Sequence, residues 1–393
     1  MLKLRGHPSY LLARGLRLPR RDGGSETGPD LAPGRHLRSG NLPLKYRSLR
    51  AGHANPMKIW SSKSAWVAKH AAAKIAHLEF SDIQTIAVIK HGGMGDLVLT
   101  RPFFRTLRDW FPNATLTASA ISHELNGIPH DLIDRLHVCV GKDQRPVSFR
   151  RKLQSYKELG PQDLLFDITT LNASFWITRV TPAKLKIGFQ HRFHHRFLYD
   201  VAVPRSDYKL EAETFLEQLY TLGLKYHWPL DFGYPPSQGS PGRPFLLYFP
   251  TASEASKCWP ADHFADLLRQ LAETVPELDH LVMFGLQEWE QNVGEEIVKP
   301  LAGVNNVRPI RRALWEETQN LVHDARLVIS NDTGIRNLAI AMGSPSLGIF
   351  TATMPFRYLP RFGRHEVLYD PMGGTPTVAA AFEGAMNLLR GME

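Results

Sequence analysis

The chain has 393 residues, of which 43% are hydrophobic and 22% charged, and its formal net charge is +9. It is long enough for two domains, and no apolar run reaches the roughly 18 residues of a membrane-spanning helix, which excludes an integral membrane protein. Residues 1–56 hold eleven Lys and Arg against three Asp and Glu, so the rest is nearly neutral and we predict no nucleic-acid partner.

Residues 1–56 are rich in Arg, Gly, Pro and Ser and show little apolar periodicity. This composition predicts a disordered basic N-terminal extension, because the segment has too little apolar surface to bury. Its low acid content is similar to that of a transit peptide, whereas Arg14 and Arg17 interrupt the apolar stretch that a secretory signal needs. Met57 is an alternative start of translation.

The stretch WVAKHAAAKIAHL, residues 66–78, places four apolar side chains on one helical stripe and its lysines off that stripe. This pattern predicts a short basic amphipathic helix at the start of the first domain. Two interpretations remain open: the helix packs on the first domain, or it contacts an anionic membrane surface.

Strand and helix patterns then alternate, beginning with a strand over 85–90 and a helix over 96–110. Alternation of this kind predicts a parallel sheet with helices on both faces. We therefore assign 57–228 to a first Rossmann-like domain, and the Pro, Gly and Ser-rich run over 229–244 to a linker.

The alternation resumes after the linker and predicts a second Rossmann-like domain over 245–393. Its opening helix is expected to start at Pro260, since proline suits the first turn of a helix. The predicted fold class is α/β, with two doubly wound domains that face a central cleft.

The first glycine-rich turn, KHGGMGDLVLT, follows the first strand of the first domain, where ligands of open parallel sheets bind. Gly93, Met94 and Gly95 allow a tight turn, and Asp96 follows at the start of a helix. Asp96 is a candidate functional carboxylate or, alternatively, a helix N-cap. Val98 occupies the third glycine position of the dinucleotide fingerprint, which disfavours NAD, and the P-loop ending is absent.

Loops at the corresponding edge of the second domain carry further polar groups. In PTASEASKCWP, residues 250–260, Ser253 and Lys257 precede a helix and favour a phosphate cradle, with a solvated loop as the alternative. In SNDTGIRN, the groups are Asp332, Thr333 and Gly334, at a helix start where capping explains part of the pattern.

A fourth loop, FGLQEWEQ, offers a carboxylate for a ribose at Glu288 or at Glu290, and solvated carboxylates explain the pattern as well. Cys139 and Cys258 are too few for a disulfide framework or a zinc cluster. The HRFHHRF cluster, residues 191–197, lacks Cys or acidic partners at ligand spacing, so we expect a basic rim rather than a metal site.

Three of these motifs, in this order, resemble glycosyltransferase family 9, the lipopolysaccharide heptosyltransferases. The resemblance covers residues 84–390 and rests on IAVIKHGGMGDLVLTRPFFRTLRDWFPNA, on the lysine and Trp-Pro of SKCWP, and on LVISNDTGIRNLAIAMGSPSLGIF. It implies a GT-B fold, with a nucleotide-sugar donor on the second domain and the acceptor on the first.

The resemblance also implies roles for residues of the cleft. Asp96 matches the family's general base, which takes a proton from the acceptor hydroxyl in an inverting displacement. Ser253, Lys257 and the amides around Thr333 and Gly334 would stabilise the leaving diphosphate. Glu288 would contact the donor ribose. The Asp-x-Asp metal signature of other glycosyltransferases is absent from the sequence, so we expect no metal or other cofactor.

The chain departs from the family pattern at three positions. Asn337 stands where the family usually has a histidine after Asp-Thr-Gly, Arg336 precedes it, and Thr251 stands where glycine is common. These departures bear on the donor sugar, which is ADP-heptose in the best-known members, more than on the fold or the reaction class.

The leading prediction is a cytoplasmic enzyme, at the inner face of the inner membrane, that transfers a heptose or similar sugar to a lipopolysaccharide core or related glycan, lipid-linked or free. Two alternatives remain: a GT-B-like sugar-nucleotide epimerase, and a non-catalytic protein that binds an anionic surface and has a degenerate cleft.

Overall fold

The computed structural model describes residues 59, 64–190, 195–236, 242–311 and 313–391, without the side chains of 195 and 196. The basic extension, Met57, most of the HRFHHRF cluster and the middle of the linker lie outside these residues. The two sheets described below belong to one compact unit of the chain.

The first sheet has seven strands, in the order β1-β7-β6-β5-β2-β3-β4. The strands are β1 Trp66–Val67, β2 Thr85–Ile89, β3 Thr115–Ile121, β4 Arg135–Cys139, β5 Gln162–Asp167, β6 Ala183–Phe189 and β7 Val201–Val203. All neighbours are parallel except β1, which pairs antiparallel with β7 at the edge. The six parallel strands have the Rossmann order, with the topological switch point between β2 and β5.

The second sheet has six parallel strands, in the order β10-β9-β8-β11-β12-β13. The strands are β8 Phe245–Phe249, β9 Asp279–Met283, β10 Val307–Ile310, β11 Leu327–Asn331, β12 Ser346–Ile349 and β13 His365–Leu368. This is the same Rossmann order, and the switch point lies between β8 and β11. The two predicted Rossmann-like sheets are confirmed.

Helices cover both faces of each sheet, as buried parallel strands require. They are α1 Ala71–Ala76, α2 Met94–Val98, α3 Arg101–Trp110, α4 Phe149–Lys157, α5 Asn172–Val180, α6 Glu211–Tyr220, α7 Ala261–Thr274, α8 Glu288–Val298, α9 Trp315–Asp324, α10 Gly334–Met342 and α11 Val378–Arg390. We call the part of the chain that forms the first sheet with its helices the first half, and the part that forms the second sheet with its helices the second half. One hydrophobic core cluster contains residues of both halves, among them Phe103, Phe166, Val328 and Leu338. The two sheets therefore share part of their core.

Two predicted helices differ from the structure. The segment predicted as one helix from Trp66 contains a short strand and then α1, which buries Ala71 and Ile75, while Lys74 forms an ion pair with Asp200. The packing interpretation of this segment therefore agrees with the structure.

The helix predicted over 96–110 is divided into α2 and α3. Proline has no N–H, so Pro102 cannot donate to the carbonyl of Val98, and the helix is interrupted between them.

The chain that joins the two sheets is fixed to the first half by Arg101 of α3. Arg101 is buried, forms two hydrogen bonds with the carboxylate of Asp131 at 2.6 and 2.7 Å, and donates from Nε to the carbonyl of Phe232. Its guanidinium also lies over the ring of Tyr234. These contacts place the connection against the same helix that follows the glycine turn.

Candidate active site

The glycine turn brings Asp96 to the carboxyl edge of the first sheet. Helix α2 begins after Gly93, which caps it without a side-chain hydrogen bond, and Asp96 is the third helical residue. Asp96 is therefore not the N-cap. Its carboxylate lies over Gly92, where an added Cβ would come within 2.5 Å of Oδ2, so this position has no room for a side chain.

A buried lysine contacts the Asp96 carboxylate. Lys90 Nζ lies 3.3 Å from Asp96 Oδ2, and the exposed fractions of the two side chains are 8% and 29%. The ammonium also lies 4.7 Å from the centre of the Phe215 ring. Lys90 thus faces Asp96 from the protein interior, and the other side of the carboxylate is open to the cleft. Lys90 is not among the site residues predicted from the sequence.

The second half positions its loops through a buried amide, Asn331, at the end of β11. Asn331 Nδ2 donates to the carbonyl of Pro250 at 2.6 Å, and Oδ1 accepts from the N–H of Trp259 at 3.0 Å. The two ends of the loop after β8 are therefore held by one side chain. The Trp259 indole is buried and donates to the carbonyl of Pro376, which fixes the start of α7.

The predicted donor residues Lys257 and Asp332 meet in this region. Lys257 Nζ lies 3.4 Å from Asp332 Oδ2, and the same oxygen accepts from the Thr353 hydroxyl at 2.6 Å. Thr333 caps α10 by accepting from the N–H of Ile335 at 3.2 Å, as the capping alternative predicted. Ser253 is exposed on the same loop as Lys257.

The glycine turn and the Asp-Thr-Gly loop touch each other. A Cβ added to Gly95 would lie 2.5 Å from Gly334 Cα, and one added to Gly334 would lie 2.8 Å from Met94 Cε. A Cβ on Gly95 would also lie 2.8 Å from Asn337 Nδ2. The starts of α2 and α10 therefore approach closely because both positions are glycine, and Asn337, one of the departures from the family pattern, lies at this contact.

A third wall of the site, which was not predicted from the sequence, is the segment Pro355–Tyr358 of the second half. Arg357 donates to the buried Glu211 of α6 at 2.9 and 3.1 Å. Burial alone would lower the pKa of Arg357, but the charges of Glu211 and Asp96 raise it above its ordinary value. Arg357 therefore joins the two halves beside Asp96.

Tyr358 belongs to the same wall. Burial raises the pKa of its hydroxyl, and the negative charges of Asp96 and Asp332 raise it further, so the phenol stays protonated. Arg336, which is buried, donates to the carbonyl of Tyr358. This second departure from the family pattern thus holds the wall in place.

The two carboxylates proposed for a ribose occupy different environments. Glu290 Oε1 accepts from the hydroxyl of Thr251 at 3.0 Å, and Oε2 accepts from the N–H of Gln287 as part of a capping box. Glu288 is exposed, and its carboxylate has no polar partner in the part of the chain that the structure describes. Thr251, the third departure, is therefore the residue that connects the loop after β8 to α8.

Two further polar groups lie near the glycine turn, the buried His91 and the half-buried Glu124. His91 follows β2, and neither of its ring nitrogens has a hydrogen-bond partner among the described residues. Burial lowers its pKa to about 3, so the ring is neutral. Glu124 Oε2 lies 4.0 Å from the Cβ position of Gly93, and burial, assisted by the charge of Asp96, raises the pKa of Glu124.

Both cysteines are free thiols. Cys139 is buried, and burial raises its pKa to about 12, while burial also raises the pKa of Cys258. Among the described residues, no three His, Cys, Asp or Glu side chains are grouped so that they could hold a metal ion. Within the same residues, no helix combines the length and the apolar character needed to cross a membrane.

A sequence model of glycosyltransferase family 9 (heptosyltransferase) matches residues 150–378, more than half of the chain. Lipopolysaccharide heptosyltransferase 1 of Pseudomonas aeruginosa is 28% identical over 235 residues, which are 56% of this chain and 62% of that protein, so the chain spans less than two thirds of this relative. Lipopolysaccharide heptosyltransferase 2 of Escherichia coli is 23% identical over 297 residues, or 69% of this chain and 83% of that protein.

Solved structures share the fold. Escherichia coli heptosyltransferase WaaC with ADP superposes with a TM-score of 0.64 at 17% identity, over 78% of this chain and 100% of that one. A family 9 glycosyltransferase from Veillonella parvula gives a TM-score of 0.61 at 18% identity, over 78% and 97% of the two chains. The predicted GT-B architecture is therefore confirmed.

Proposed function

The chain belongs to glycosyltransferase family 9, and on that premise we propose that it transfers a heptose from ADP-heptose to a lipopolysaccharide core or related glycan, with inversion and without a metal ion. One observation carries this proposal. Asp96 follows Gly95 in the first half, and Asp332, the partner of Lys257, precedes Gly334 in the second half, so the contact between the two glycines brings these groups to one cleft.

Asp96 is the proposed general base. Lys90 occupies Oδ2, which leaves Oδ1 for the acceptor hydroxyl. As the hydroxyl oxygen forms its bond to the anomeric carbon, its proton passes to Asp96 and the bond from that carbon to the diphosphate breaks. A single displacement from the face opposite the diphosphate inverts the configuration of the anomeric carbon.

The departing diphosphate gains negative charge, which the second half is suited to stabilise. Lys257 supplies an ammonium, α10 begins two residues after Asp332 with the positive end of its helix dipole, and Ser253 adds a hydroxyl. Because Lys257 is already close to Asp332, its ammonium is held near the position of the phosphates before the donor binds. Tyr358 provides a further protonated hydroxyl in the cleft.

The choice of ADP-heptose rests on relatives. One solved structure at 18% identity is the Escherichia coli heptosyltransferase WaaC with ADP-2-deoxy-2-fluoro heptose. Glu288, whose carboxylate has no polar partner among the described residues, is the proposed ribose ligand, because both oxygens of Glu290 are already occupied. The proposed site of action is the cytoplasmic face of the inner membrane, where a lipid-linked acceptor would be available.

A thermal-shift screen of ADP, UDP, GDP and their sugars tests the donor, because a ligand that binds only the folded state raises the melting temperature. We expect ADP and ADP-heptose to give the largest shifts. NMR of the transfer product should then show an anomeric configuration opposite to that of the donor. A preference for UDP or GDP would contradict the heptose assignment, and retention of configuration would contradict the single displacement.

Activity should also persist after treatment with EDTA. A requirement for a divalent cation, restored by adding the metal back, would contradict the metal-free part of the proposal and leave the donor assignment intact.

A further inference from the structure

An exposed surface with aromatic and basic side chains lies on the adjacent helices α4 and α5. Phe149 is 65% exposed, Leu171 is 48% exposed and Trp176 is 44% exposed. The rings of Phe149 and Trp176 meet edge to face, with 6.4 Å between their centroids. Phe149 and Trp176 therefore form one apolar patch that joins the two helices. We call this patch, together with Leu171 and the cations of residues 142–152, the aromatic-basic surface.

The cations of this surface form no ion pair with any other described residue. Residues 142–152 contain five Lys and Arg and one Asp, and the five are Lys142, Arg145, Arg150, Arg151 and Lys152. In the described part of the chain, none of the five forms an ion pair, whereas Arg101, Arg105 and Arg108 of α3 each pair with an Asp. Unpaired positive charge therefore distinguishes this surface from α3.

Exposed apolar groups next to unpaired cations fit the headgroup region of an anionic lipid bilayer. Aromatic side chains are enriched at the level of lipid headgroups, and lysines and arginines near an anionic leaflet are attracted to it. A contiguous exposed apolar patch on a folded protein also commonly marks an interaction site. The aromatic-basic surface combines these features on two adjacent helices.

The position of the surface agrees with this partner. Helices α4 and α5 follow β4 and β5, so both begin at the carboxyl edge of the first sheet, the edge that also carries Asp96. Residues 66–78, for which membrane contact was one of the two interpretations, pack on the first half instead, because Ile75 is buried and Lys74 pairs with Asp200. The structure therefore moves the candidate membrane contact from residues 66–78 to α4 and α5.

We propose that the aromatic-basic surface binds an anionic lipid bilayer, with Phe149 and Trp176 at headgroup level and the cations facing lipid phosphates. The contact itself is independent of catalysis. Its use, to bring the Asp96 edge of the cleft to a lipid-linked acceptor, rests on the proposed function.

Vesicle flotation of the full-length protein tests the contact. We expect binding to vesicles that contain phosphatidylglycerol, little binding to pure phosphatidylcholine, and a steep loss of binding as the salt concentration rises. The double variant Arg150→Gln and Arg151→Gln should partition about thirtyfold less. A second double variant, Phe149→Ser and Trp176→Ser, should also bind less, at any salt concentration.

The matched charge control is Lys299→Gln with Arg390→Gln, two exposed cations of the second half, and it should bind as the parent protein does. Residues 1–56 are present in every variant, so their eleven cations cannot account for a difference between variants. Equal binding of all variants would assign the membrane contact to another part of the chain and overturn the proposal.

Two further measurements distinguish a bilayer from a glycan as the partner of this surface. Lipids with brominated chains should quench tryptophan fluorescence of the parent, and Trp176→Phe should remove part of that quenching. ADP-induced thermal shifts should be the same in all variants, which shows that they are folded. If the surface variants lose transfer to a delipidated acceptor but keep their vesicle binding, the surface is a glycan site and the proposal is overturned. If every protein, the parent included, fails to transfer but binds vesicles as expected, only the proposed function is contradicted.

Discussion

The two halves of the molecule have the same strand order but end their switch-point strands with different chemistry. Strand β5 of the first half ends in Asp167, and strand β11 of the second half ends in Asn331. Both side chains are fully buried. Asp167 accepts hydrogen bonds from Tyr199 at 2.7 Å and from the N–H of Thr169 at 2.9 Å, whereas Asn331 both donates and accepts.

This difference continues into the loops at the cleft. The first half holds its candidate base with a charged group, Lys90, and without a side-chain cap on α2. The second half holds its loops mainly with the neutral groups of Asn331, Thr333 and Thr353, to which the ion pair of Lys257 with Asp332 is added. The same fold thus supports a reacting carboxylate in the first half and a fixed phosphate cradle in the second half, by which we mean the loops that carry Ser253, Lys257 and Asp332. Each can be disturbed separately.

The largest expected effect is that of Asp96→Asn. An amide cannot take a proton from the acceptor, so we expect kcat to fall about 10²- to 10⁴-fold. The affinity for ADP should not change, because the cradle belongs to the other half. Steady-state kinetics and calorimetric titration of ADP measure the two quantities.

Asp109→Asn is the control for Asp96→Asn, since Asp109 is an exposed carboxylate of the same half. It should retain full activity. Normal turnover by the Asp96→Asn variant would remove this residue from the chemistry.

Asn331→Ala is expected to loosen the cradle. The substitution leaves the buried carbonyl of Pro250 and the N–H of Trp259 without partners, at a cost of roughly 1–3 kcal/mol each in the free energy of unfolding. Urea denaturation measures this loss, and ADP should also bind more weakly. Asn172→Ala, at an exposed position, is the control, and a loss below about 1 kcal/mol for Asn331→Ala would mean that the loop is held by other contacts.

Asp167→Asn tests whether the buried carboxylate of the first half makes the free energy of unfolding depend on pH. Burial raises the pKa of Asp167 to about 6, against an ordinary value of 3.8, so the folded protein binds this proton more tightly than the unfolded chain does. The contribution of this proton to the free energy of unfolding is complete below about pH 4, and up to about 3 kcal/mol of it is lost as the pH rises through 6.

The expected result is a difference in slope. Between pH 4 and pH 8, the unfolding free energy of the parent should fall relative to that of Asp167→Asn, whatever the absolute stability of the variant. A constant difference over this range would show that Asp167 does not titrate there. Because Asn331 has no titratable group, Asn331→Ala should leave the slope of the parent unchanged.

The sequence was sufficient to predict the two sheets and the loops that meet at the cleft. Alternating strands and helices specify parallel sheets, and the edge at which their ligands bind follows from the topology, so Asp96, Lys257 and Asp332 could be chosen without coordinates. The strand at Trp66 was missed because its apolar spacing also fits a helix. Its conformation depends on pairing with β7, which lies about 135 residues further along the chain.

The residues that contact the site residues could not be predicted from the sequence, for a similar reason. Lys90 contacts Asp96 only because the first turn of α2 folds back over Gly92, a geometry that residue spacing does not specify. Arg357 reaches the cleft through an ion pair with Glu211, 146 residues away in the chain. The sequence assigned Gly95 to a tight turn and Gly334 to a helix start, whereas the structure adds that the two glycines make room for each other.

Lys257→Gln should give the smallest of these effects and the clearest contrast with Asp96→Asn. It removes a charged donor from the proposed diphosphate site, and a hydrogen bond to a charged group contributes about 1.5–3 kcal/mol, so the affinity for ADP should fall about 10- to 100-fold. Lys299→Gln, an exposed lysine of the same half, should bind ADP normally. If Lys257→Gln instead kept its affinity and lost only turnover, the cradle would act on the transition state alone, and the division between a reacting half and a binding half would have to be abandoned.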